Sequence, residues 1–181
     1  MYFKKPYFIA EISANHDGSF LKAKRLIKTA KIFGADAVKL QTYTPDTMTI
    51  KSNKKYFKIK SGLWKNYKLW ELYKESHTPL EWHKKLFNYA KKLGITIFST
   101  PFDETAVDLL EDLNCPFYKV ASFELTDLSL IKYIAQKKKP MILSTGMANE
   151  KEISEAIDVV KKYGAGDFII LHCVSGYPTP I

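Results

Sequence analysis

Cysteine is almost missing from this chain: Cys115 and Cys173 are the only two in 181 residues. Two thiols so far apart make no disulfide framework, and a reduced, cytoplasmic protein is the reading that follows. Long apolar runs are missing as well. None approaches the roughly 20 residues that cross a bilayer, and Met1-Tyr2-Phe3-Lys4-Lys5-Pro6 lacks the apolar stretch of a secretory signal. Neither a membrane partner nor an exported chain is expected. No stretch has linker composition, so residues 1–181 read as one domain. Charge is lopsided, at +9 net, which admits an anionic partner. A nucleic-acid signature is nevertheless absent. Lys91-Lys92 and Lys137-Lys138-Lys139 fall at the ends of predicted helices, where cations complement the dipole and are expected on a solvated face. Lys51-Ser52-Asn53-Lys54-Lys55-Tyr56-Phe57-Lys58 is different, because it lies in a long connection of the kind that is usually functional or mobile.

What the chain has in quantity is apolar surface, 46% hydrophobic and 14% aromatic, enough for one sizeable core. It comes in short runs that finish in polar groups: Phe8-Ile9-Ala10-Glu11, Ala37-Val38-Lys39-Leu40-Gln41-Thr42, Ile97-Phe98-Ser99-Thr100-Pro101, Met141-Ile142-Leu143-Ser144-Thr145-Gly146 and Ile169-Ile170-Leu171-His172-Cys173-Val174-Ser175. Helical periodicity follows most of them, so the unit is strand, polar loop, helix, repeated about six times. Such alternation predicts an α/β fold with a parallel sheet. Barrels and doubly wound sheets both gather their functional groups at strand C-termini.

The helices have local signals. Leu26, Ile27, Ala30 and Phe33 fall at helical spacing between Ser19 and Gly34, and Gly34 supplies a left-handed stop. Thr78-Pro79-Leu80-Glu81 predicts a capped start, with Glu81 closing a capping box, for a stripe of Leu86, Tyr89, Ala90 and Leu93 that ends at Gly94. Asp103 opens a third helix carrying Ala106, Val107, Leu110 and Leu113, and Thr126 or Asp127 a fourth through Leu130, Ile131 and Ile134 that cannot pass Pro140. Asn149 with Glu152 begins the last, with Ile153, Ala156, Ile157 and Val160 on one face before Gly164.

Tyr118-Lys119-Val120-Ala121-Ser122-Phe123-Glu124 is the most informative segment: a predicted strand whose end presents a cation, a hydroxyl and a carboxylate. Alternation sets Lys119 and Ala121 on one side and Tyr118, Val120 and Ser122 on the other. An inward lysine at a strand end is not ordinary core. His16 is a candidate contact for a sugar or a metal-bound water, although a loop histidine with no second ligand nearby in sequence is not a metal site. His172 and Cys173, adjacent in a predicted buried strand, are expected on opposite faces.

Six segments together, AEISANHDGS (10–19), AVKLQTY (37–43), FSTPFDETAVDLLEDL (98–113), YKVASFEL (118–125), KPMILSTGMA (139–148) and LHCVSGYPTP (171–180), resemble the sialic acid synthase family. Within it, LWELYKESHTPLEWH (69–83) and ASFELTD (121–127) are most similar to the pseudaminic acid synthases. The resemblance implies a TIM-type (β/α) barrel and condensation of phosphoenolpyruvate with a diacetamido-trideoxy hexose, releasing phosphate. Neuraminate and legionaminate synthesis are the near alternatives. It implies phosphoenolpyruvate contacts for Lys39, Lys119, Thr100, Ser122 and Ser144, and substrate contacts for Gln41, Ser175 and Tyr177. Glu11 matches a carboxylate beside metal-bound water, and Glu124 one that binds the sugar and assists proton transfer. Ser175 departs from the pattern, since the neuraminate synthases carry Asn there. The resemblance further implies a homodimer, a divalent metal (Mn or Mg) whose two histidine ligands lie beyond Ile181, and a C-terminal antifreeze-like domain. The chain therefore reads as an N-terminal barrel portion with about six of eight βα units, expected to be inactive by itself. A Schiff-base aldolase using Lys119, or a non-catalytic binding fragment, are the other readings.

Overall fold

The computed structural model describes residues 5–164, 166–176 and 179. The chain divides into two compact units, Tyr7–Ile97 on the one hand and Phe98–Ile181 with Met1–Pro6 on the other.

The first unit runs β1 (Ile9–Glu11), α1 (Phe20–Ile32), β2 (Ala37–Thr42), α2 (Pro45–Met48), α3 (Leu69–Ser76) and α4 (Leu80–Leu93). β1 and β2 pair in parallel, with Glu11 beside Lys39. Ser19 caps α1 by accepting the N–H of Lys22, and Ala23 and Ile27 are its buried residues. Phe33 does not join that stripe: the helix ends at Ile32, so helical spacing no longer carries the ring inward and it is 84% exposed. The start of α4 also differs from the expectation. Pro79 stands at the N-cap without any side-chain cap, because the Thr78 hydroxyl is 3.3 Å from Nε2 of the fully buried His16. A buried imidazole nitrogen without a partner costs more than an exposed helix N–H that water can reach. The α4 core is His83, Leu86, Phe87 and Ala90, with Gly94 left-handed at its end.

Between α2 and α3 the chain makes a strap. From Thr47 to Trp70 it has seven lysines and no acidic residue. A short 3-10 turn at Lys55–Phe57 leads into a small hairpin in which Lys58 and Lys68 bridge antiparallel. Ile59 N–H donates to the carbonyl of Tyr67 and Asn66 N–H to that of Ile59, both at 2.9 Å. The tip turns through Gly62 at φ +80° and leaves Leu63 82% exposed. The strap is pinned at its end: Trp70 donates its indole N–H to Asp46 at 2.8 Å, and the Lys51 ammonium lies 4.2 Å from the centre of the same ring.

The second unit contains most of β3 (Thr96–Pro101), then α5 (Glu104–Asp112), β4 (Tyr118–Val120), α6 (Leu128–Ala135), β5 (Met141–Ser144), α7 (Glu150–Tyr163) and β6 (Phe168–Leu171). Each of these strands pairs in parallel with the next. Asp103 and Asp127 cap α5 and α6, and Asn149 with Glu152 forms a complete capping box on α7. The strand expected over 118–124 stops at Val120. Residues Ser122–Thr126 curl into a 3-10 turn, which buries Leu125. His172 and Cys173 lie outside any strand, since the pairing of β5 with β6 runs out at Ser144 opposite Leu171.

The triple lysine lies on the surface, as expected, and each ammonium finds a partner there. Lys137 pairs with Asp108 at 2.9 Å and Lys139 with Glu111 at 2.7 Å, while Lys138 donates to the Tyr163 carbonyl at 2.7 Å. Three consecutive residues thus tie the end of α6 to α5 and α7. Cys115 is fully buried, and burial pushes its thiol up to about 12, which makes it inert near neutral pH. Among the described residues no helix is long and apolar enough to cross a membrane.

Candidate active site

Two facts about side-chain direction organise the first unit. Thr42 Oγ1 is 2.9 Å from Nε2 of His83 on α4, so the Val38, Leu40 and Thr42 side of β2 faces the helix. By alternation Lys39 and Gln41 face away from it. Lys39 is only 8% exposed yet charged, and it forms an ion pair with Glu11. The other oxygen of Glu11 accepts from the Ser13 hydroxyl at 2.8 Å and its N–H at 3.1 Å. A carboxylate held by three donors and a lysine turned from the helix layer are a charged cluster at strand C-termini, where an anion or a water molecule can be handled.

The same logic applies in the second unit. Tyr118 donates its hydroxyl to Glu111 on α5 at 2.7 Å, which turns Tyr118 and Val120 toward the helix and Lys119 away from it. Thr100 is the penultimate residue of β3 and Ser144 the last of β5. Both are buried. Glu124, in the 3-10 turn after β4, has a buried Oε2 without a hydrogen-bond partner. Burial pushes its carboxyl above the ordinary range, its own backbone N–H and the Lys119 ammonium act against this, and Asp127 adds to the rise. A carboxyl that keeps its proton to higher pH suits a hydrogen-bond donor or a proton source. Ser122 accepts from the N–H of Gly146 at 3.1 Å, and Ser175 is half-buried close by. Tyr177 lies outside the described residues.

His16 is fully buried, with both ring nitrogens bonded within the protein. Its Nδ1 accepts from Gly18 N–H at 3.1 Å, so the neutral ring carries its proton on Nε2 and donates to Thr78. His83 is the reverse: Nδ1 donates to the Pro79 carbonyl at 3.2 Å, and Nε2 accepts from Thr42. Burial lowers both pKa values below the ordinary one. An unfolded His binds protons more readily than these, so their contribution is present above the ordinary histidine pKa near 6.5 and is lost as pH falls through it. His83→Gln cannot titrate. The stability gap between the native protein and this variant, followed by denaturant melts, is expected to narrow from pH 8 to pH 5; a gap independent of pH would refute the neutral, buried assignment.

Residues 26–181 match the family model described as the NeuB family. The chain belongs to the NeuB family. The pseudaminic acid synthase of Helicobacter pylori is 48% identical over 176 residues, covering 97% of this chain and 52% of that protein. The N,N'-diacetyllegionaminic acid synthase of Campylobacter jejuni is 40% identical over 180 residues, covering 98% and 54% respectively. Among solved structures, the N-acetylneuraminic acid synthetase of Leptospira borgpetersenii in complex with citrate superposes with a TM-score of 0.83 at 30% identity, over 97% of this chain and 57% of that one. The fold class is accordingly α/β, of the (β/α)-barrel type found in NeuB proteins. This NeuB chain spans about half the length of the curated relatives it matches.

Proposed function

We propose that the full-length protein is a nonulosonic acid synthase of the cytoplasm, condensing phosphoenolpyruvate with a diacetamido-trideoxy hexose to give pseudaminic acid and phosphate. The observation that carries this reading is a lysine at the end of a strand in each unit, Lys39 and Lys119, each turned from the helices. Two ammonium groups suit a small anion bearing both phosphate and carboxylate. The choice of sugar rests on similarity, 48% to a pseudaminic acid synthase against 40% to a legionaminic one.

In the reaction C3 of phosphoenolpyruvate bonds to the aldehyde carbon of the open-chain sugar, and the aldehyde oxygen takes up a proton. Water bonds at C2, and breaking of the bond from C2 to the phosphate oxygen leaves the ketone and free phosphate. Lys39 and Lys119 offset the anion's charge, Thr100, Ser122 and Ser144 donate hydroxyl hydrogen bonds, and Gln41 and Tyr177 contact substrate. Glu11, anchored by Lys39 and Ser13, positions the water. Glu124 in its protonated form serves the sugar oxygen. Among the described residues no three His, Cys, Asp or Glu side chains gather as a metal site. They do not by themselves fit the divalent metal; its ligands, like the antifreeze-like domain and the dimer contact, belong on this reading to residues outside them.

The test is phosphate release from phosphoenolpyruvate by the full-length protein with manganese, with and without the diacetamido sugar. Sugar-dependent release with one product per phosphate is expected. Release that ignores the sugar, or a Schiff base trapped on Lys119 by borohydride with a keto substrate, would overturn the proposal.

A further inference from the structure

Three loops of the second unit meet at Gly146. Ser122 follows β4, Gly146 follows β5, and Cys173 and Ser175 follow β6. A methyl group built on the Gly146 α-carbon would stand 2.5 Å from Ser175 Oγ, 3.1 Å from Ser122 Oγ and 3.1 Å from the Cys173 carbonyl oxygen. The first distance is well inside van der Waals contact. Gly146 is not among the glycines with positive φ, so its backbone conformation is open to any residue and does not account for glycine here. Close approach does. The Gly146 N–H also points at Ser122 Oγ, 3.1 Å away. A serine hydroxyl has one proton and two lone pairs; with a lone pair occupied by Gly146, its proton is left to donate elsewhere.

We propose that Gly146 is a positioning residue for phosphoenolpyruvate: its N–H aims the hydroxyl of Ser122, and its missing side chain leaves the room that Ser175 needs to bring a second hydroxyl to the same anion. This rests on the synthase reading. Ser175 Oγ is the far end of a short, rotatable side chain. Alanine at 146 therefore turns Ser175 Oγ away first, while Ser122 Oγ and the Cys173 carbonyl oxygen, each at 3.1 Å, need give only a few tenths of an ångström; Gly146→Ala acts chiefly by expelling the Ser175 hydroxyl. The two substitutions Gly146→Ala and Ser175→Ala then remove one and the same interaction, and their effects are not additive.

The experiment is a double-mutant cycle on the full-length protein, with KM for phosphoenolpyruvate, KM for the sugar and the melting temperature measured for each variant. Gly146→Ala and Ser175→Ala are each expected to raise the phosphoenolpyruvate KM about tenfold, the scale of one hydrogen bond to an anion, with the sugar KM and the melting temperature little changed. The double variant should stay near tenfold instead of reaching about a hundredfold. If Gly146→Ala fails to fold, the double variant decides, since Ser175→Ala removes the closest contact: a folded double variant with the KM of Ser175→Ala alone supports the role, and an unfolded one overturns it. Independent, multiplied losses overturn it too. A native protein with no saturable use of phosphoenolpyruvate would instead overturn the synthase reading, and this inference with it.

Discussion

Lys39→Ala is expected to lower kcat/KM for phosphoenolpyruvate about 10²–10³-fold in the full-length protein, the scale of losing one preorganised charge-stabilising group. Lys84→Ala, on the exposed side of α4, is expected to change it by less than about twofold. Lys39 is 8% exposed, so its charge acts where water screens little, and its loss also strips Glu11 of its cation. The two consequences separate experimentally. Glu11 is itself 41% exposed and keeps both bonds from Ser13, so adding Glu11→Gln to Lys39→Ala should recover at most a little melting temperature, and no activity. Equal kinetic losses at Lys39 and Lys84, or activity regained along with stability, would remove Lys39 from the anion site.

Glu124→Gln should do two opposite things: abolish most turnover, and stabilise the protein at the high-pH end of its range, where the native carboxyl would have to bury a charge and the amide does not. Oε2 is buried without a partner, and burial raises the carboxyl's pKa. The folded state therefore holds the Glu124 proton more tightly than the unfolded chain. Its favourable contribution is complete below the ordinary carboxylate value and is lost as pH climbs through the raised one. Glutamine keeps the neutral shape at every pH. Chemical melts of both proteins from pH 4 to 8 should show the stability gained from glutamine growing with pH. A gain that is constant, or largest at pH 4, would mean that the native carboxylate is satisfied when charged.

Local signals were legible in the sequence, and tertiary ones were not. Asp103 and the Asn149–Glu152 box reach only three residues ahead, and both caps form as read. Alternation put Lys119 opposite Tyr118, and the Tyr118 bond to α5 agrees. Thr78 failed because its competitor for the cap was His16, far back in the chain, and the ion pair of Lys137 was hidden because Asp108 sits on another helix. No spacing rule reports such partners. The strand at 118–124 was cut short by the burial of Leu125, which alternation alone does not foresee. That Gly146 marks a close approach needs the Ser175 loop, about thirty residues later, in three dimensions.

The hairpin in the strap bears on the entropy of the chain. An unstructured excursion from Thr47 to Trp70 would charge the fold for closing one long, floppy loop, a cost that grows only logarithmically with length but starts from a substantial constant. The bridge between Lys58 and Lys68 and the anchoring of Trp70 by Asp46 divide it into short segments with their own hydrogen bonds. Residues added at the Gly62–Leu63 tip would then extend a closed hairpin and leave the span between α2 and α3 unchanged. The strap is the part of the first unit whose length can drift while β2, and Lys39 with it, stay where they are.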